Sequence, residues 1–179
     1  MRNARDLRIA SRLLGFTALV AALGGCSIDP VRTENLVPTA AVSGKKHSAT
    51  VSLDASNSTS APLKVNDDQL KQALKDAITK SQTFSQVIDG KGGRYLLTVN
   101  IVKLDQPAFG GSMTVTMEVG WTLKRADTGA TVWQESINST HTTGMGEAFV
   151  GVERVRLATE GAVRNNIASG LTKIGQLNL

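Results

Sequence analysis

Residues 113–124, Met-Thr-Val-Thr-Met-Glu-Val-Gly-Trp-Thr-Leu-Lys, alternate without interruption between apolar and polar positions. Met113, Val115, Met117, Val119, Trp121 and Leu123 share one face, and Thr114, Thr116, Glu118, Gly120, Thr122 and Lys124 share the other. A period of two sustained this far belongs to a strand with one buried face, because a helix would scatter the same apolar side chains around its circumference. The methionines at 113 and 117 fall on the apolar face and read as core packing.

The strand leads into Asp127-Thr128-Gly129, a hairpin signal. Pairing Ala126 with Ala130 sets Leu123 opposite Trp133 and Val119 opposite Ile137, so that apolar meets apolar. Pairing Arg125 with Ala130 instead turns Trp133 to the wrong face, since a slip of one residue inverts every side chain. The favoured register implies a three-residue loop with Gly129 left-handed. It also sets Glu135 on the covered face opposite Trp121, where it either reaches water at the sheet edge or pairs with an arginine of the last helix.

Two further strands are legible. Ala49, Val51 and Leu53 alternate against Thr50, Ser52 and Asp54, with a polar loop expected over 55–64. Tyr95, Leu97, Val99 and Ile101 alternate against Thr98 and Asn100, after a glycine-rich turn at 89–93. Between these strands, Asn66-Asp-Asp-Gln69 has the form of a capping box, followed by Leu70, Ala73, Leu74, Ala77 and Ile78 on one helical face. Phe84, Val87 and Ile88 are expected to pack as the chain returns toward the sheet. A second helix is expected from about Gly146, carrying Ala148, Val152, Val155, Thr159, Val163, Ile167, Leu171 and Ile174 inward. Arg154, Glu160 and Arg164 are expected on its surface, with Glu160 and Arg164 in the favourable i,i+4 order.

The resulting order is β-α-β-β-β-α. It predicts an α+β, two-layer sandwich: a four-stranded, mainly antiparallel sheet with two helices on one face. The other face stays open and polar. Thr114, Thr116, Glu118, Thr122, Gln134 and Asn138 on that face form the candidate partner-binding surface.

The N-terminus carries a different kind of signal. Arg2, Arg5, Arg8 and Arg12 precede the apolar run Leu13–Leu23, about half the ~20 residues needed to span a bilayer. Leu23-Gly24-Gly25-Cys26 closes it, and Cys26 is the only cysteine. This is the form of a secretory signal. The four residues resemble the lipobox of bacterial lipoproteins, which implies cleavage before Cys26 and lipidation of that residue. Ser27 is not the aspartate associated with inner-membrane retention, so the resemblance implies an outer-membrane, lipid-anchored location facing the periplasm. The expected organisation is a signal at 1–25, a lipidated cysteine and tether at 26–47, and one domain at 48–179. The alternative for the tether is an arm lying on the domain, docked through Leu36 and Val37.

Removing residues 1–25 leaves 154 of the 179 residues and lowers the net charge from +5 to +2. The basic balance of the whole chain therefore gives no support to nucleic-acid binding, which calls for a clustered basic face. With Cys26 lipidated no disulfide is available, so the fold rests on packing.

Catalytic chemistry finds little to work with. His47 reads as a tether residue and His141 as a solvated residue near a strand end. A serine–histidine pairing in Ser139-Thr-His141 lacks the acid and oxyanion site that nucleophilic catalysis needs. Two distant histidines give no metal-ligand spacing, and no cofactor is implied. Arg154, Arg156 and Arg164 read as a solvated face, with an anionic partner such as lipopolysaccharide phosphate as the alternative.

Lipobox and element order together resemble the small outer-membrane lipoproteins of Gram-negative envelopes. The domain is similar in element order to envelope-assembly lipoproteins and to the N-terminal domain of TolB. The resemblance implies a non-catalytic adaptor or binding module in outer-membrane or cell-wall assembly, with an envelope protein as partner. Direct binding of lipopolysaccharide or peptidoglycan is the alternative, and a periplasmic hydrolase using His141 is a third reading.

Overall fold

The computed structural model describes residues 30–179, so Cys26 and Ser27 lie outside the described residues. A short 3-10 turn at Thr33–Leu36 precedes β1 (His47–Asn57), α1 (Asp67–Ser81), β2 (Phe84–Ile88), β3 (Tyr95–Asp105), β4 (Met113–Arg125), β5 (Thr131–Thr143) and α2 (Gly151–Ile174). The strands form one sheet in the order β2-β1-β3-β4-β5. β1 is parallel to both neighbours, whereas β3–β4 and β4–β5 are antiparallel. The sheet is therefore mixed and five-stranded, which corrects the expected four-stranded, mainly antiparallel arrangement.

The added strand is β2, whose sequence carries little strand signal. Phe84-Ser-Gln-Val-Ile88 shows little alternation, and only Phe84 is fully buried. Its ring lies 5.7 Å from that of His47 and 6.3 Å from that of Tyr95. β2 pairs with the first half of β1 and β3 with the second, so Ile88 aligns with Ser52 while Tyr95 aligns with Val51. The connection at 89–94 consequently crosses β1 on the open face rather than making a simple turn. Gly93 donates its N–H to Ser52 Oγ at 3.0 Å, and Arg94 donates its own to Thr50 Oγ1 at 3.0 Å. A Cβ on Gly93 would stand 2.3 Å from the backbone nitrogen of Ser52, so only glycine fits this crossing.

The capping box is formed: Gln69 N–H donates to Asn66 Oδ1 at 2.8 Å, and Asn66 N–H to Gln69 Oε1 at 3.1 Å. Leu70, Ala73, Leu74, Ala77 and Ile78 are the buried residues of α1, as the spacing predicts. β1 continues three residues beyond Asp54, into the stretch expected to be loop.

The β4–β5 register sets Leu123 against Trp133, Trp121 against Glu135 and Val119 against Ile137, as face matching requires. At the turn, however, Arg125 N–H donates to Ala130 O at 2.9 Å, giving a four-residue loop with Gly129 at φ 70°. An irregularity between Leu123 and Lys124 reconciles the two pairings, with Val132 as the extra residue.

α1 packs on β1 and β2, and α2 on β4 and β5, both over the face bearing Val51, Leu97, Val99, Trp121 and Leu123. α2 begins at Gly151, later than the expected Gly146. Residues 30–46, within the stretch read as a tether, lie against the domain as the docked-arm alternative describes. Val31 and Leu36 are buried, and the 3-10 turn contacts both helices. The arm runs on to Lys45, whose N–H donates to Gly175 O at 2.7 Å. His47, read as a tether residue, is instead the buried first residue of β1, its Nε2 3.0 Å from Ile174 O.

Candidate functional site

The open face of the sheet is built from the polar halves of the alternating strands. Thr114, Gln134 and Asn138 are exposed, and Thr116, Glu118 and Thr122 are partly exposed. Their side chains tie neighbouring strands together: Thr114 Oγ1 and Thr142 Oγ1 lie 2.8 Å apart, and Ser136 Oγ donates to Glu118 Oε1 at 2.6 Å. Farther across, Asn100 Oδ1 accepts from Ser56 Oγ at 3.1 Å and Ser58 Oγ at 3.0 Å. Ser52 is the exception on this face, buried beneath the crossing at Gly93. The surface is thus a flat field of short hydroxyl and amide groups held by cross-strand bonds. Such a field suits hydrogen-bonded docking and supplies no nucleophile–base pair.

One end of the open face is shaped differently. The crossing at Gly90–Gly93 and the β4–β5 hairpin line a groove of about 500 Å³, together with Leu96 and the charged residues Lys91, Lys124, Arg125 and Asp127. Ala126 N–H donates to Arg94 O at 3.0 Å and fixes the two rims. Three cations against one carboxylate give this groove a positive balance.

The covered face holds the polar residues that the sequence assigned to solvent. Arg154, Arg156 and Glu160 are buried, not on the surface. Glu160 carboxylate accepts from Arg156 Nη1 at 2.5 Å, from the Arg32 backbone N–H at 2.8 Å and from Asn35 Nδ2 at 2.8 Å. Its partner on α2 is therefore Arg156, three residues from Glu153, and not Arg164. Arg164 Nη1 donates to Asn35 O at 2.8 Å. These groups pin the arm to α2 and take Arg156 and Arg164 out of a solvated face, while Arg154 is buried instead beneath the loops at 110 and 148–149, to whose carbonyls it donates. The Arg156 guanidinium donates to Glu153 and holds that carboxyl below its ordinary range, partly opposed by burial. The same bond, with Glu160 adding its charge, raises Arg156 above its ordinary value. The sequence signal for the arm is the adjacent apolar pair Leu36 and Val37; Val31, which is also buried, stands isolated between Pro30 and Arg32.

His141 is not a solvated strand-end residue. It lies half-buried under α2, so close that a Cβ on Gly161 would stand 2.2 Å from its ring. Ser139 Oγ donates to Ala162 O at 2.9 Å and accepts from Asn166 Nδ2 at 3.1 Å. Both members of the serine–histidine pairing are thus part of the sheet–helix packing. Glu135, on the edge strand, pairs with α2 as the second of its two alternatives describes, but with Lys173 at 2.5 Å and not with an arginine. Among the described residues no three His, Cys, Asp or Glu side chains gather in a group that could hold a metal ion.

This arrangement of a five-stranded mixed sheet under two helices has solved counterparts. The chain is similar to protein XCC0632 from Xanthomonas campestris, of the DUF330 family, with a TM-score of 0.59 and 14% identity over 78% of this chain and 89% of that one. It is also similar to a PelC dodecamer from Paraburkholderia phytofirmans, with a TM-score of 0.53 and 15% identity over 78% of this chain and 95% of that one. Protein CT253 from Chlamydia trachomatis gives a TM-score of 0.50 and 9% identity over 71% of this chain and 98% of that one. At such identities the likeness is one of fold. No family model and no curated protein matches the chain by sequence.

Proposed function

We propose that the chain is a lipid-anchored lipoprotein of a Gram-negative outer membrane, and that its domain is a non-catalytic adaptor or binding module in envelope assembly. The observation that carries this reading is the position of Cys26, directly after Leu-Gly-Gly at the end of a short apolar run behind a basic N-terminus. The open face, with Thr116 on β4 and Asn138 on the edge strand β5, supplies the docking surface for an envelope protein. A second reading, direct binding of lipopolysaccharide or of an anionic glycan, is favoured by Lys91, Lys124 and Arg125 around the groove.

Metabolic labelling with a tagged fatty acid tests the anchor. The wild type takes up label and Cys26→Ala does not; label retained by the alanine variant refutes the lipoprotein reading. Capture from crosslinked envelopes tests the face. Thr116→Lys, at an outward position, changes stability by no more than about 0.5 kcal/mol and weakens capture of the protein partner. Unchanged capture by Thr116→Lys, with loss of bound glycan in Lys124→Glu, transfers the function to the second reading.

A further inference from the structure

Five of the eight large hydrophobic side chains exposed among the described residues stand together at one end of the sheet. The β3–β4 connection, 106–112, presents Phe109 at 92% exposure. The β5–α2 connection, 144–150, presents Met145, Phe149 at 91% exposure and Val150, and Val152 follows in the first turn of α2. A domain that leaves two phenylalanines wholly in water, side by side with three other apolar groups, marks an interaction surface.

These loops are held in place. The guanidinium of Arg154, buried beneath them, donates from Nη1 to Ala148 O at 2.9 Å and Phe149 O at 2.7 Å, and from Nη2 to Gly110 O at 3.1 Å. One buried cation therefore ties both connections into a single platform. Gly111 and Met145 meet across it, the Cβ position of the glycine lying 3.6 Å from the Met145 sulfur. The platform carries almost no charge: residues 106–112 have none, and 144–150 have only Glu147, which accepts from Gly144 N–H at 2.8 Å.

The chain also enters the domain at this end. β1 and β3 finish here, β4 starts here, β5 finishes here, and both helices begin here, since Asn57 N–H bonds Asp67 and Met113 pairs with Thr143. Val31 O accepts from Gln69 Nε2 in the first turn of α1 at 2.7 Å, and Arg32 meets Glu160. Glu160 lies nine residues into α2, about 13 Å along its axis from the platform. Five links separate Val31 from Cys26, a reach of at most about 18 Å. A lipid on Cys26 can therefore lie level with Phe109 and Phe149.

We infer that the end bearing Phe109, Met145, Phe149 and Val150 is a bilayer-contact surface, seated at the headgroup–acyl boundary of the leaflet that holds the Cys26 lipid. The inference rests on the lipoprotein reading of Cys26. Covalent lipid and apolar loops act as two attachments, and together they fix orientation where a lipid on a free tether would not. The strands then stand on the membrane with the β4–β5 hairpin farthest from it, and the open face looks along the membrane surface toward its partner.

Spin labelling of the mature lipoprotein tests this. Cys26 is the only cysteine, and lipidation consumes its thiol, so Phe109→Cys, Phe149→Cys and Thr128→Cys each offer one reactive site. The labelled proteins are reconstituted into vesicles of phosphatidylethanolamine and phosphatidylglycerol, and nitroxide collisions with oxygen and with a water-soluble nickel chelate are measured. The expected result is an oxygen-to-nickel ratio several-fold higher at 109 and 149 than at 128. Equal ratios at all three sites overturn the inference. Labels at 109 and 149 shielded from both reagents also overturn it, in favour of a protein contact. The mass of the N-terminal peptide is read in parallel. A free Cys26 thiol overturns the anchor reading and this inference with it, whereas nickel-exposed labels on a lipidated chain overturn the inference alone.

Discussion

Gly170→Ala sets local propensity against tertiary packing, and the two demand opposite signs. In the interior of α2, alanine in place of glycine favours the helix by about 1 kcal/mol. The added methyl group, however, would stand 2.4 Å from Trp121 Cζ2 and 2.6 Å from Cε2 and Cη2, about 1 Å inside ordinary contact. Trp121 is fully buried, and its indole N–H donates to Asn166 Oδ1 at 2.9 Å, while Asn166 Nδ2 donates to Ile137 O at 2.9 Å. Moving the ring breaks a buried hydrogen bond, costing about 1–3 kcal/mol; moving the helix overpacks the layer at a similar cost of about 1–3 kcal/mol. An overlap of about 1 Å takes both movements, about 2–6 kcal/mol together; after the helix gain of about 1 kcal/mol is subtracted, the variant is expected to lose about 1–5 kcal/mol, or roughly 2–20 °C in Tm for a domain of this size. Urea titration followed by tryptophan fluorescence measures it, with Ser169→Ala as the control. Ser169 is exposed one residue away, where its Oγ donates only to Asn165 O of the preceding turn, so its variant shows the propensity gain without a packing clash, up to about 0.5 kcal/mol. Gly170→Ala as stable as wild type, or more stable, refutes the close packing of α2 on Trp121.

Leu36→Ala removes a fully buried side chain of the arm and is expected to cost about 2–5 kcal/mol; a loss below about 0.5 kcal/mol in chemical denaturation would show the arm to be a detached tether. Acid titration reports the Glu153–Arg156 bond. The Glu153 carboxyl is held below its ordinary value near 4.5, so its contribution is present above that pH and is lost as pH falls through the depressed folded value. The stability advantage of wild type over Glu153→Gln is therefore expected at neutral pH and should shrink below about pH 4; an advantage independent of pH would exclude the bond.

Local patterns carried the elements because their causes are local. Strict alternation in 113–124 follows from the pleat, and the Asn66–Gln69 box and the 70–78 stripe follow from helix geometry, so each was legible without knowing what it packs against. The open polar face followed as well, since it is the other half of the same alternation. The β4–β5 register followed from matching apolar faces, though the bulge at Val132 that reconciles it with a four-residue turn did not.

What lay beyond the sequence has one physical cause: contacts between residues far apart in the chain. β2 exists as a strand because the edge of β1 is available to pair with it, and its own five residues carry little period. Arg156 and Glu160 have the spacing of a solvated ion pair, and only the arm, more than a hundred residues earlier, removes them from water. His47 and His141 are polar by type and are covered by the end and the middle of α2. The sequence by itself determined the open face, the helical stripes and the form of the N-terminal signal, because propensity and periodicity act within a few residues. Tertiary structure decided which polar groups are buried, that the chain entering at Val31 is part of the helical layer, and that Phe109 and Phe149 come together at one end. Those outcomes depend on loop closure and on the docking of distant surfaces, which no local pattern encodes.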